Sequence, residues 1–94
     1  MTMYLIERTF SVGQDQMEDI GKRSRQLTET EFQEITWHHS HVVVDDVGNV
    51  KTYCLYEAPD EDIVRAHSEK LGWHRVDAIY EVAGDVTPDD FPLT

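Results

Sequence analysis

Ile35-Thr36-Trp37-His38-His39-Ser40-His41-Val42-Val43-Val44 enters Asp45-Asp46-Val47-Gly48-Asn49 and leaves as Val50-Lys51-Thr52-Tyr53-Cys54-Leu55-Tyr56-Glu57-Ala58. Two β-branched and aromatic runs around a short Asp/Gly/Asn loop have the composition of a β-hairpin. Pro59-Asp60 then opens a helix. Asp60 suits the N-cap, and Glu61 and Asp62 suit the positive end of the helix dipole. Ile63, Ala66, His67, Lys70 and Leu71 follow at i, i+3, i+4, i+7 and i+8, and Gly72 is placed to end the helix. Upstream, Met3–Phe10 has strand length. Met17, Ile20, Gly21, Ser24 and Leu27 give a lean apolar face to a helix over 15–27. Val76–Val82 reads as the last strand.

The order β-α-β-β-α-β predicts an α+β, ferredoxin-like domain: a four-stranded antiparallel sheet with two helices on one face. Its other face is bare, and apolar residues there are expected to bury against a second protomer, making a homodimer through the sheet. Residues 1–86 form the single domain, and 87–94 form an extended acidic tail.

The chain has 94 residues, with eight Lys and Arg against nineteen Asp and Glu, a net charge of −11. That balance repels nucleic acid and anionic membrane. No apolar run approaches the roughly 18 residues of a membrane span, and Met1–Arg8 has no signal-peptide pattern, so the expected location is cytoplasmic. The lone Cys54 excludes an intrachain disulfide and a two-cysteine zinc knuckle. Five histidines are the unusual feature.

Strict alternation along the first hairpin strand puts Trp37, His39 and His41 on one face, with His38 and Ser40 on the other. Imidazoles at i and i+2 can approach one metal ion, and nickel, copper and zinc suit them; a half-buried, hydrogen-bonded histidine is the plainer alternative. On the second strand Tyr53, Leu55 and Glu57 share a face opposite Thr52, Cys54 and Tyr56. Cys54 reads as a small core hydrophobe. Glu57 and Glu7 each suit a metal or solvent; Glu7-Arg8 sends one charge to each sheet face, with an ion pair as the simplest outcome. His67 sits on a helix's apolar stripe as a core-edge residue, and His74 is expected to be exposed in a loop. No phosphate loop, HExxH pair or Gly-x-Ser-x-Gly elbow is present.

Trp37-x-His39-Ser40, the string Lys51-Thr52-Tyr53-Cys54-x-Tyr56-Glu57-Ala58-Pro59, the helix with His67 ending near Gly72, the opening Tyr4-Leu5-Ile6-Glu7-Arg8 and the closing Glu81-Val82 together resemble the small ferredoxin-like nickel-binding proteins. The resemblance covers about residues 3 to 83. It implies a homodimer that binds and sequesters nickel, with His39, Glu57 and His67 as the matching polar positions and Glu7 on the adjoining strand. His41 stands where the family has an aromatic residue, His38 is an additional histidine, and the tail from Gly84 is longer than in the family. The expected site is therefore His39, His41, Glu57, His67 and Glu7 around Ni²⁺ or a similar divalent ion. The alternative is a dimeric α/β-barrel enzyme or ligand-binding protein whose pocket is lined by His39, Tyr53 and Glu57.

Overall fold

A computed structural model describes all 94 residues. The elements are β1 (Thr2–Phe10), α1 (Met17–Glu29), β2 (Thr36–Val44), β3 (Val50–Ala58), α2 (Glu61–Leu71) and β4 (His74–Glu81), with 3₁₀ turns at Gln14–Gln16 and Pro88–Asp90. The sheet order is β2-β3-β1-β4 and every neighbouring pair is antiparallel. This is the ferredoxin-like arrangement. No helix is long and apolar enough to cross a membrane.

Period-two patterning sets the faces. On β3, Val50, Thr52, Cys54, Tyr56 and Ala58 are buried beneath the helices, while Lys51, Tyr53, Leu55 and Glu57 are half-buried on the outer face. On β1, Tyr4, Ile6, Arg8 and Phe10 point inward and Leu5, Glu7 and Thr9 outward. Ile20, Ser24 and Leu27 of α1 and Val64, His67, Ser68 and Leu71 of α2 close the core.

The local signals work as their chemistry requires. The Asp60 carboxylate accepts the Ile63 N–H at 2.9 Å and caps α2. The Asp45 carboxylate accepts the Asn49 and Val47 N–H groups at 2.8 and 3.1 Å, pinning the hairpin turn. These bonds, the Asn49 N–H first, hold its carboxyl below the usual carboxylate range.

The structure corrects the sequence reading at three places. β2 is not regular: Trp37 pairs with Tyr56 but His39 pairs with Leu55, so His38 is an extra, bulged residue. The bulge resets parity. Trp37 and Ser40 lie together on the inner face, where Trp37 Nε1 donates to Ser40 Oγ at 2.9 Å, while His39 and His41 lie on the outer face. β4 begins at His74, because Phe10 and Thr9 offer it partners, and contains its own irregularity opposite Glu7 and Arg8. The tail is not extended throughout: Thr87 and Asp90 form a reciprocal capping box around a 3₁₀ turn.

Two glycines respond oppositely to a methyl group. Gly21 lies within α1, and a Cβ there meets nothing within 4 Å, so Gly21→Ala gains helix propensity and raises stability by about 0.5–1 kcal/mol. Gly72 ends α2 at φ 71° and ψ −168°, a conformation only glycine adopts without strain. Space is open there too, so backbone strain alone makes Gly72→Ala destabilising by about 1–3 kcal/mol. Urea midpoints at unchanged m-value measure both.

Candidate functional site

The helix-free face carries the candidate donors. His39 opposite Leu55 and His41 opposite Tyr53 project from edge strand β2, with ring centroids 5.4 Å apart and planes nearly perpendicular. The bulge turns His38 toward the neighbouring strand, where its Nε2 lies 3.2 Å from Glu57 Oε1. Leu5, Tyr53 and Leu55 lie half-buried on this face, and Tyr80 is exposed on it.

Glu7 shares the face but is already engaged. Lys51 Nζ donates to Glu7 Oε2 at 2.6 Å and lies 3.8 Å from Asp77 Oδ2. The bond to Glu7 is the main reason the Lys51 ammonium is held above the usual lysine range. Burial alone would raise the Asp77 carboxyl, but hydrogen bonds from Thr9 and Arg75 outweigh it and lower it. In register, Tyr53 stands between His41 and Glu7.

His67 belongs to the opposite side of the sheet. It is fully buried, with Nε2 3.3 Å from Ser24 Oγ and its ring edge-on to Tyr56 and Phe32. Burial first, and the Arg8 charge second, push its pKa down to about 4. His74 is half-buried on β4 rather than exposed in a loop. Its ring sits 5.1 Å from Phe10, and Nδ1–H donates to the Gly72 carbonyl at 2.6 Å; burial, then Arg8, lowers its pKa.

Of the five expected ligands, the structure brings His39 and His41 together, places Glu57 with His38 and Glu7 with Lys51, and separates His67 from all of them. No group of three or more His, Cys, Asp or Glu side chains is arranged to hold a metal within one protomer. His39, Tyr53 and Glu57 all stand on the outer face, so within one protomer they line no cavity between sheet and helices. The cavity under α1 is lined by other residues, Arg8, Trp37 and Cys54 among them. Sequence reasoning missed His38, since alternation cannot reveal a bulge, and missed Lys51 as the partner of Glu7. The available signal was the Trp37–Tyr56 pairing: two aromatics suited to face each other across the hairpin require the shift in register.

The family described as "Nickel responsive protein SCO4226-like" matches residues 4–82. The chain belongs to this family. The crystal structure of SCO4226 from Streptomyces coelicolor A3(2) is similar, with a TM-score of 0.64 and 19% identity, over 88% of this chain and 99% of that one. The solution structure of the C-terminal domain of the MgtC protein from Mycobacterium tuberculosis has a TM-score of 0.59 and 15% identity, over 88% and 87% of the two chains. At these identities the likeness establishes the fold. No curated protein matches.

His67 makes stability depend on pH. Its folded pKa of about 4 lies below the ordinary 6.5, so between these values the unfolded chain binds the proton and the folded one does not. The stabilisation is complete above the unfolded value and is lost as pH falls toward the folded one, by about 3 kcal/mol in all. Urea midpoints from neutral pH downward should fall more steeply for the wild type than for His67→Gln, which keeps a polar partner for Ser24 without the titration.

Proposed function

We propose that the protein binds and sequesters nickel, or a similar divalent ion, on the outer face of its sheet, with the donor set completed by a second copy of the chain. The observation that carries this reading is the side-by-side pairing of His39 and His41 on the uncovered face of an edge strand. Membership of a nickel-responsive family supports it. Two imidazoles hold an ion weakly; a two-fold pair of protomers presents the same two residues twice and offers four. Half-buried Leu5, Leu55 and Tyr53, with Tyr80, supply an apolar surface for such a pairing. Glu57, which His38 holds in place, is the nearby carboxylate. Glu7 enters the site only by leaving Lys51. His67 contributes to the core beneath. The ion is cargo, held without any chemical step.

Neutral imidazole is the ligating form, so affinity for Ni²⁺ should be weaker at about pH 5.5 than at about pH 7.5. His39→Ala and His41→Ala should each weaken binding by roughly tenfold or more, and His38→Ala by less, because it contacts the ion only through Glu57. Titration calorimetry measures the affinities. Native mass spectrometry of the full chain should show one ion per dimer. Ni²⁺ bound to a monomer with undiminished affinity, or equal affinity at both pH values, would remove the shared histidine site.

A further inference from the structure

The inner face holds a second candidate site, independent of the metal reading and on the other side of the sheet. A cavity of about 210 Å³ lies between α1 and the β2–β3 part of the sheet. Phe10, Met17, Ile20 and Trp37 form apolar walls, and Val42, 51% exposed, stands at its edge. Arg8 also lines it. That guanidinium is 1% exposed, and its hydrogen-bond partners are a thiol, a phenol and a hydroxyl: Cys54 Sγ at 3.2 Å, Tyr56 OH at 3.3 Å and Ser68 Oγ at 2.7 Å. Arg8 Nε has no partner at all. In a chain with nineteen acidic residues, none forms an ion pair with this cation.

A buried charge without a counter-charge is held at a cost, and the cost falls when an anion arrives. The cavity is the route by which one can. A further observation points the same way. Gly21 lines the cavity from the middle of α1, yet nothing lies within 4 Å of the position its Cβ would take. Close packing does not require a glycine there. Its effect is to leave the space open.

We propose that this cavity binds a small apolar monocarboxylate, with the carboxylate directed to Arg8 and the body of the molecule against Phe10, Met17 and Trp37. The charge is matched to one cation. Lys51 faces the opposite side of the sheet, and His67 is neutral near pH 7, so a phosphate dianion would be left half-compensated. Ser40 and Ser24 hydroxyls on the lining can donate to the second carboxylate oxygen. A cavity of roughly 150 Å³ holds a benzene ring, so this one has room for a ring and a short acidic arm.

Phenylacetate and its neutral isostere phenylacetamide test the site by ¹H–¹⁵N NMR titration of the full chain. Phenylacetate should bind saturably, shifting amides of α1, β2 and β3 around the cavity, and phenylacetamide should bind roughly tenfold more weakly because it lacks the charge. Gly21→Leu, which adds bulk at a lining position whose Cβ is unobstructed, should abolish binding while keeping a native-like spectrum. Arg8→Met should erase the preference for acid over amide. Equal binding of the two probes to the wild type would overturn the proposal. So would saturable binding that survives Gly21→Leu, or no cavity-centred shifts up to about 10 mM. The comparison of acid with amide uses the wild type alone and holds whether or not either variant folds.

Discussion

The core is organised around a charge that has no opposite. Arg8 projects from the central strand β1 into the space between sheet and helices and ties it to two further elements, through Cys54 and Tyr56 of β3 and Ser68 of α2. Its guanidinium also lies 5.2 Å from the Tyr56 ring centroid, where the ring's negative face offers partial compensation. Its charge acts to lower the pKa of each titratable neighbour. His67 and His74 are kept neutral by burial and by this cation together, and burial raises the Tyr56 phenol despite it. The inner layer is thereby a neutral shell around one positive charge, while nearly all of the protein's negative charge lies outside.

The outer face follows the opposite logic. Its charges are paired where they meet, as Lys51 is with Glu7 and Asp77, and Leu5, Tyr53 and Leu55 are half-buried there. The bulge at His38 joins the two faces. One inserted residue sends Trp37 inward to meet Tyr56 and Ser40, and it leaves His39 and His41 outward as neighbours. The same insertion therefore shapes a wall of the inner cavity and the histidine pair of the outer surface.

Most of the fold was legible in the residues. The β3 boundaries, the Asp60 cap and the Gly72 stop follow from local chemistry, because alternation, carboxylate capping and a glycine-only conformation act within a few residues of chain. The order of elements then leaves little choice of topology. The site was less legible, and for a physical reason in each case. Alternation assigns His39 and His41 a common face correctly, but the face of Trp37 depends on a register shift that only cross-strand packing determines. Glu7 and Arg8 were readable as facing opposite sides of the sheet, yet Lys51, the partner of Glu7, lies on a strand 44 residues away. Arg8 looked like half of an ion pair, and nothing in the order of residues shows that no acid reaches it.

The place of β1 in the sheet sets a timetable for assembly. The first strand made is a central one: Thr2–Thr9 pair with 51–58 on one side, and Tyr4–Phe10 pair with 74–81 on the other. Only the β2–β3 hairpin joins strands that are near in sequence. Closing loops of such length before any pairing compensates for the lost freedom slows folding. During synthesis, Tyr4, Ile6 and Phe10 must wait, unpaired on both sides, until the hairpin has emerged, and the sheet is complete only when β4 has followed. The nascent chain thus carries an apolar strand with two open edges until its later partners have been made.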